Sequence, residues 1–246
     1  DPYLDPVGTD GFYTERSIRL PRAYWCYAPP AEANVARQAR ADEGPITFGC
    51  LNNFAKVSQP ALHAWSEILR QVDDSRLILH SAPGEHRRRT SEYFERCRIS
   101  PQRIRFVERC PLDQYFSQYE QIEIALDTFP FAGATTTCDA LWMGVPVVTL
   151  VGDTAVGRAG ASILANTGIQ NLVARSPNEY ISNAVGLAQD FPRLSDLRAS
   201  LRQRMLTSPL MDAPAFARDV EDALRQMWRS WCADRTNVLS HSHLST

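Results

Sequence analysis

From residue 46 onward, short apolar runs alternate with segments whose apolar residues recur every three or four positions. Ile46-Thr47-Phe48-Gly49-Cys50-Leu51, Arg76–His80, Ile104–Glu108, Ile122–Asp127, Pro146–Leu150 and Asn171–Ala174 read as strands. Between them the period lengthens. Leu62, Trp65, Ile68 and Leu69 form a helical stripe ending near Val72, with Ser58 placed to cap it and Pro60 in its first turn. Further helices are predicted near 86–97, 112–119, 135–143, through Ile163-Leu164, and at 177–189, 192–206 and 213–232. Ser100-Pro101 breaks the second helix, and Gly144 stops the one that begins at Thr135.

Strand-loop-helix units repeated with short connections predict an α/β fold, a Rossmann-like doubly wound parallel sheet covered by helices. Residues 1–45, irregular and rich in Pro and Ala, read as a connector to that lobe, which spans 46–210. A closing helix occupies 211–232, and the polar tail 233–246 is expected to be disordered. No repeat of period 20–50 is present, so the chain is not a solenoid.

Composition narrows the function. The 246 residues are 44% hydrophobic and 22% charged, as in a globular domain. A formal net charge of −2 gives no electrostatic reason to expect nucleic acid or an anionic membrane as partner. No apolar run approaches the roughly 18 residues that cross a bilayer, and no signal peptide is visible at the start. Six scattered cysteines, Cys26, Cys50, Cys97, Cys110, Cys138 and Cys232, form no CxxC pair or Cys/His cluster. They read as reduced thiols of a cytoplasmic protein without a metal site.

In doubly wound sheets, ligands bind beyond the carboxyl ends of the strands, so the loops after each strand are where chemistry is sought. Two stand out. Lys56, in Leu51-Asn52-Asn53-Phe54-Ala55-Lys56-Val57-Ser58, is the single lysine among 26 lysine and arginine residues. A compact ammonium on a flexible stem suits a diphosphate; on this stretch alone it suits a solvated surface equally well. Gly133-Ala134-Thr135-Thr136-Thr137-Cys138-Asp139 opens a helix, where unpaired N–H groups favour an anion and a threonine cap is the plainer reading. His86-Arg87-Arg88-Arg89 reads as a solvated face, and His63 and His80 as structural. Asp127 is expected to pin its loop through backbone N–H groups. Trp65, Trp142, Trp228 and Trp231, at helical spacing, read as core.

FGCLNNFAKVS, LDTFPFAGATTTCDALWMGVPVVT and SPLMDAPAFARDVEDALRQMWRSWC, in this order, resemble the C-terminal catalytic lobe of glycosyltransferase family 41. That family holds the protein O-GlcNAc transferases and the SPINDLY-type O-glycosyltransferases, and the phrases here look more like the SPINDLY branch. The likeness runs from about Phe12 to Cys232. It implies a GT-B fold whose C-terminal lobe binds the nucleotide sugar, with inversion at the anomeric carbon, no cofactor and no essential metal. It implies that Lys56 is the catalytic contact to the donor diphosphate. Thr135 and Thr136 would add donors, with Gly133 beside them in the donor-binding loop; Asp139 would lie near the ribose, and Cys110 with Tyr115 would lie near the base. Acceptor proteins through Ser/Thr are implied, as are a preceding N-terminal lobe and tetratricopeptide repeats in a parent chain. Residues 1–45 would then be the end of that lobe and the interlobe linker.

The chain departs from the animal O-GlcNAc transferases at Ala134, Leu112 and Tyr115, where those enzymes carry histidine, lysine and histidine. UDP-GlcNAc is the favoured donor and GDP-fucose the alternative. A different class of reading is a nucleotide-binding or interaction module with a degraded site; the joint presence of Lys56, the threonine loop and Asp139 argues against it.

Overall fold

The computed structural model describes residues 1–34 and 44–242, with side chains given as far as Ala233. Six strands form one parallel sheet: β1 (Thr47–Cys50), β2 (Arg76–His80), β3 (Ile104–Val107), β4 (Ile124–Leu126), β5 (Val147–Leu150) and β6 (Val173–Ala174). Their order is β3-β2-β1-β4-β5-β6, and every pairing is parallel. The direction of winding reverses between β1 and β4, which opens a crevice at their carboxyl ends.

Helices α1 (Gln59–Gln71), α2 (Glu85–Arg96), α3 (Leu112–Gln118), α4 (Thr135–Trp142) and α5 (Ala155–Asn166) connect the strands. They are followed by α6 (Pro177–Gln189), α7 (Phe191–Leu206) and α8 (Ala213–Ser242). On β2 the consecutive residues Leu77, Ile78 and Leu79 are all buried. Consecutive strand side chains point to opposite faces, so both faces of the sheet are covered. α1 packs against α6, and α4 against α5 and α7.

The predicted stripe on α1 is buried as Leu62, Trp65, Ile68 and Leu69. Burying a large apolar side chain contributes about 1.5–3 kcal/mol. The Ser58 side chain accepts from Ala61 N, as a cap should. Gly144, just past α4, adopts φ +72°, the left-handed conformation that ends a helix without a Cβ clash.

Three expectations change. Trp65 and Trp142 are buried, but Trp228 and Trp231 are 62% and 47% exposed and stack on each other at 5.1 Å. Helical spacing marks a face, and only the three-dimensional arrangement decides whether another element covers it. The last helix, expected to end at Cys232, runs on to Ser242. The intervening sequence has no Pro or Gly to stop it. Residues 35–43 of the expected linker and 243–246 of the expected tail lie outside the described residues. Finally, 170–172 form a 3-10 turn, so the sixth strand is only Val173–Ala174.

The N-terminal segment lies against the lobe. Asp1 Oδ2 accepts from Ser162 Oγ at 2.7 Å on α5, and Arg22 pairs with Asp219 at 2.8 Å on α8. Trp142 Nε1 on α4 donates to the Ala33 carbonyl at 3.1 Å.

Candidate functional site

The loops after β1 and β4 face each other across the winding reversal. The first contains a 3-10 turn, Phe54–Lys56, opened by Asn53, whose side chain accepts from Ala55 N. That turn carries Lys56 toward the β4 loop, where Nζ donates to the Ala132 carbonyl at 3.0 Å. The same ammonium lies 4.2 Å from the centre of the Phe131 ring, within cation–π range. An ammonium has three N–H donors, so this carbonyl occupies one of them. Burial pulls the Lys56 pKa below the ordinary lysine value, and the Asp127 carboxylate opposes that shift.

Asp127 pins the loop after β4, as the sequence suggested, and is 2% exposed. Its Oδ1 accepts from Thr128 N at 2.8 Å, Gly133 N at 2.7 Å and Asn52 Nδ2 at 3.0 Å. Its Oδ2 accepts from Thr149 Oγ1 at 2.7 Å. Burial nevertheless raises its pKa; the hydrogen bonds from Thr149, Gly133, Asn52 and Thr128 act against the rise without overcoming it. The loop is held from outside as well. Ser58 Oγ donates to the Phe129 carbonyl, and Ala132 N donates to Val156 O at 3.1 Å.

Helix α4 starts beside Lys56. Its N-cap is Ala134, whose side chain supplies no capping hydrogen bond, so the expected threonine cap is absent here. The first helical bonds run from Thr137 and Cys138 N to the Ala134 carbonyl. The N–H groups of Thr135 and Thr136 precede them, at the end that favours an anion. Thr135 is exposed and Thr136 half-buried. Gly133 is buried, and a Cβ there would lie 2.6 Å from Thr137 Oγ1 and 2.9 Å from both Asn52 Oδ1 and Thr136 Oγ1. Only glycine lets the chain pass so close.

The remaining expected residues sit differently. Asp139 is 6% exposed and turned toward the N-terminal segment. Tyr27 OH donates to its Oδ1 at 2.8 Å and Tyr115 OH to its Oδ2 at 2.9 Å. Burial raises its pKa despite those two bonds. Tyr115, its own hydrogen given to Asp139, accepts from Tyr119 OH at 2.7 Å, and the Thr136 carbonyl lies 3.2 Å from that same hydroxyl as a second, longer acceptor. Cys110 is half-buried on the loop between β3 and α3. The structure thus brings Lys56, Gly133, Thr135 and Thr136 together, and joins Asp139 and Tyr115 in a neighbouring buried network.

Sequence reasoning passed over Asn52, Tyr27, Phe131 and Ala132, all of which shape the site. Asn52 directly follows a strand and could have been found by the strand-end rule; Tyr27 carried no signal. The arginine run divides. Arg88 and Arg89 pair with Glu85 on the exposed side of α2, whereas Arg87 turns inward to the Ser81 carbonyl and lies 5.4 Å from the Phe106 ring centre. Among the described residues no group of three or more His, Cys, Asp or Glu side chains is placed to hold a metal, and no helix is long and apolar enough to cross a membrane.

Comparison with known proteins places this geometry in a family. The family model "Glycosyl transferase family 41" matches residues 32–220. A tomato (Solanum lycopersicum) relative, a probable UDP-N-acetylglucosamine–peptide N-acetylglucosaminyltransferase called SPINDLY, is 40% identical over 94% of this chain and 26% of its own. The UDP-N-acetylglucosamine–peptide N-acetylglucosaminyltransferase of Caenorhabditis elegans is 30% identical over 79% of this chain and 17% of its own. A solved mutant of the Thermobaculum terrenum O-GlcNAc transferase superposes with TM-score 0.88 at 37% identity, covering 96% of this chain and 45% of that one. The chain spans about a quarter of the length of the tomato relative. Its fold is the C-terminal lobe of a GT-B glycosyltransferase.

Proposed function

Because the chain belongs to glycosyl transferase family 41, we propose that it is the donor-binding lobe of an inverting protein O-glycosyltransferase that moves a sugar from a nucleotide diphosphate to Ser/Thr hydroxyls of proteins. The observation that carries this reading is Lys56. Its ammonium reaches across the winding reversal to the β4 loop, within hydrogen-bonding distance of Ala132, beside the uncapped start of α4. A diphosphate in that crevice would meet the Lys56 ammonium from one side and helix N–H groups from the other. As the glycosidic bond breaks, negative charge grows on the departing diphosphate, and donors already in place stabilise it.

UDP-GlcNAc is the first choice of donor, supported by the names of the relatives. GDP-fucose is the second reading, supported by Tyr115, whose hydroxyl is committed to Asp139 and Tyr119 at a position where animal O-GlcNAc transferases carry histidine. A facing N-terminal lobe would supply the groups that bind and activate the acceptor. Its existence is supported by the longer relatives, and residues 1–45 would be its end and the interlobe linker.

Calorimetric titration of UDP, GDP, UDP-GlcNAc and GDP-fucose into the protein and into Lys56→Ala tests this. Binding of the uridine pair, weakened at least about tenfold by Lys56→Ala, is expected. Selective binding of the guanosine pair would choose the fucosyl reading. Failure of every nucleotide to bind the folded wild-type protein would sink the donor-site assignment.

A further inference from the structure

We propose that Asn52 is a positioning residue of this donor site and that it divides the labour of the two threonines: it accepts the hydrogen bond of the Thr136 hydroxyl, leaving Thr135 as the side-chain donor to the phosphate. The inference rests on the donor-site reading above.

Polarity passes from atom to atom between the two loops. Asp127 Oδ1 receives three N–H donors, from Thr128, Gly133 and Asn52. An oxygen so surrounded is an acceptor whether or not the carboxyl is protonated, because a proton would sit on Oδ2, facing Thr149. The Asn52 amide must therefore turn its NH2 group toward Asp127. The second Nδ2 hydrogen goes to Thr128 Oγ1 at 2.9 Å, and the Thr128 hydroxyl donates to the Phe131 carbonyl at 2.7 Å. Asn52 Oδ1 is thereby fixed toward Thr136, whose hydroxyl donates to it. A flipped amide would set oxygen against oxygen at Asp127 and two donors against the Thr136 side.

A threonine hydroxyl has one hydrogen. Spent on Asn52, it is not available to a phosphate oxygen. Thr135, one residue earlier, is exposed at the start of the helix, where its hydroxyl is open to a ligand. Asn52 is itself 5% exposed, so a solvated role is excluded. It stands at the end of β1, four residues before Lys56, and its three hydrogen bonds reach the end of β4 and the first turn of α4. The lysine loop and the threonine loop are thus set relative to each other by one amide.

The test is calorimetric titration of UDP and GDP into the wild-type protein, Asn52→Ala, Thr135→Val, Thr136→Val, Thr136→Ser and the double variant Asn52→Ala/Thr136→Val, with melting temperatures alongside. Thr135→Val is expected to lose about tenfold in affinity at unchanged melting temperature, because it removes a ligand contact only. Asn52→Ala and Thr136→Val are each expected to weaken binding. Their double variant should be no weaker than Asn52→Ala, since both remove the same link, and Thr136→Ser should restore affinity. Multiplying effects in the double variant, or wild-type affinity in folded Asn52→Ala, would overturn the proposal. If Asn52→Ala does not fold, the threonines decide: wild-type affinity in Thr135→Val with loss in Thr136→Val is the overturning result. Absence of UDP and GDP binding by the wild-type protein would instead strike down the donor-site reading, and this inference with it.

Discussion

The Tyr27 hydroxyl donates to Asp139 Oδ1 at 2.8 Å, joining residues 112 positions apart. A residue of the N-terminal segment is thereby one of two phenols holding a buried carboxylate on α4, with Tyr115 as the other. Through Tyr119 the same network reaches the Thr136 carbonyl, so the start of α4 is braced from behind. Tyr27→Phe removes one hydrogen bond to a buried carboxylate, at an expected cost of about 1.5–3 kcal/mol at neutral pH. Burial already raises the Asp139 pKa, and Tyr27 is the strongest group holding it down. Its removal raises the pKa further. The protonated, folded form is favoured below that pKa, so the cost should shrink as pH falls toward the acid range. Urea unfolding of both proteins at neutral and acidic pH measures this.

Much of the fold was legible because its signals are local. The α1 stripe, the Ser58 cap and the Gly144 stop each lie within a few residues of the feature they specify. The place of the candidate site was legible where the strand-end rule applies, in that Lys56 and Gly133 both fall on loops at the carboxyl ends of adjacent strands. It was not legible where long-range pairing decides a side chain's role. Thr136 looks like a phosphate donor in sequence, yet its hydroxyl is engaged by Asn52, 84 residues away. Asp139, which the resemblance puts near the ribose, is held by two tyrosines from other elements, a pairing that no local signal announces. On α8, periodicity identified a tryptophan face but not its exposure.

Nucleotide affinity should fall on the alkaline side earlier than an ordinary lysine would predict. Burial lowers the Lys56 pKa in the unliganded protein, whereas a bound diphosphate would favour the charged form and raise it. Affinity is then flat below the unliganded pKa and declines above it. Lys56→Arg keeps its charge throughout this range and should show no such decline, even if its planar group binds less well. Titrations of UDP or GDP across neutral to alkaline pH compare the two. An identical alkaline loss in both proteins would remove Lys56 as its source.

Asp127→Ala and Asp127→Asn should differ widely. Alanine leaves the four groups now donating to Asp127 without that acceptor and should destabilise by at least about 3 kcal/mol. Asparagine can keep an oxygen toward the three N–H donors and present its amide to Thr149, which can accept. The pH dependence follows from the raised pKa. Asp127 contributes its full stability below the unfolded-state value and loses it as pH rises through the folded one. Asp127→Asn should lack that loss, so its stability deficit against wild type should narrow with rising pH. Chemical denaturation at several pH values decides this; a deficit that widens with pH would contradict the sign.

Two glycine-to-alanine changes should have opposite effects. At Gly133 a Cβ would lie 2.6 Å from Thr137 Oγ1 and 2.9 Å from Asn52 Oδ1 and Thr136 Oγ1. Two of these atoms, Asn52 Oδ1 and Thr136 Oγ1, are hydrogen-bonded to each other and so resist displacement, and the backbone N–H of Gly133 is bonded to Asp127. Gly133→Ala should therefore cost about 1–3 kcal/mol and push the threonine loop away from Lys56. Gly186 lies inside α6, where an added Cβ meets nothing within 4 Å. Gly186→Ala should stabilise by about 0.5–1 kcal/mol through helix propensity and a less flexible unfolded chain. Melting temperatures of the two variants, with UDP or GDP titrated into each, separate the effects. Gly133→Ala should lose stability and nucleotide affinity together, while Gly186→Ala should gain stability and leave affinity unchanged. Equal tolerance at both positions would mean that the close approach at Gly133 is not what sets the two loops in place.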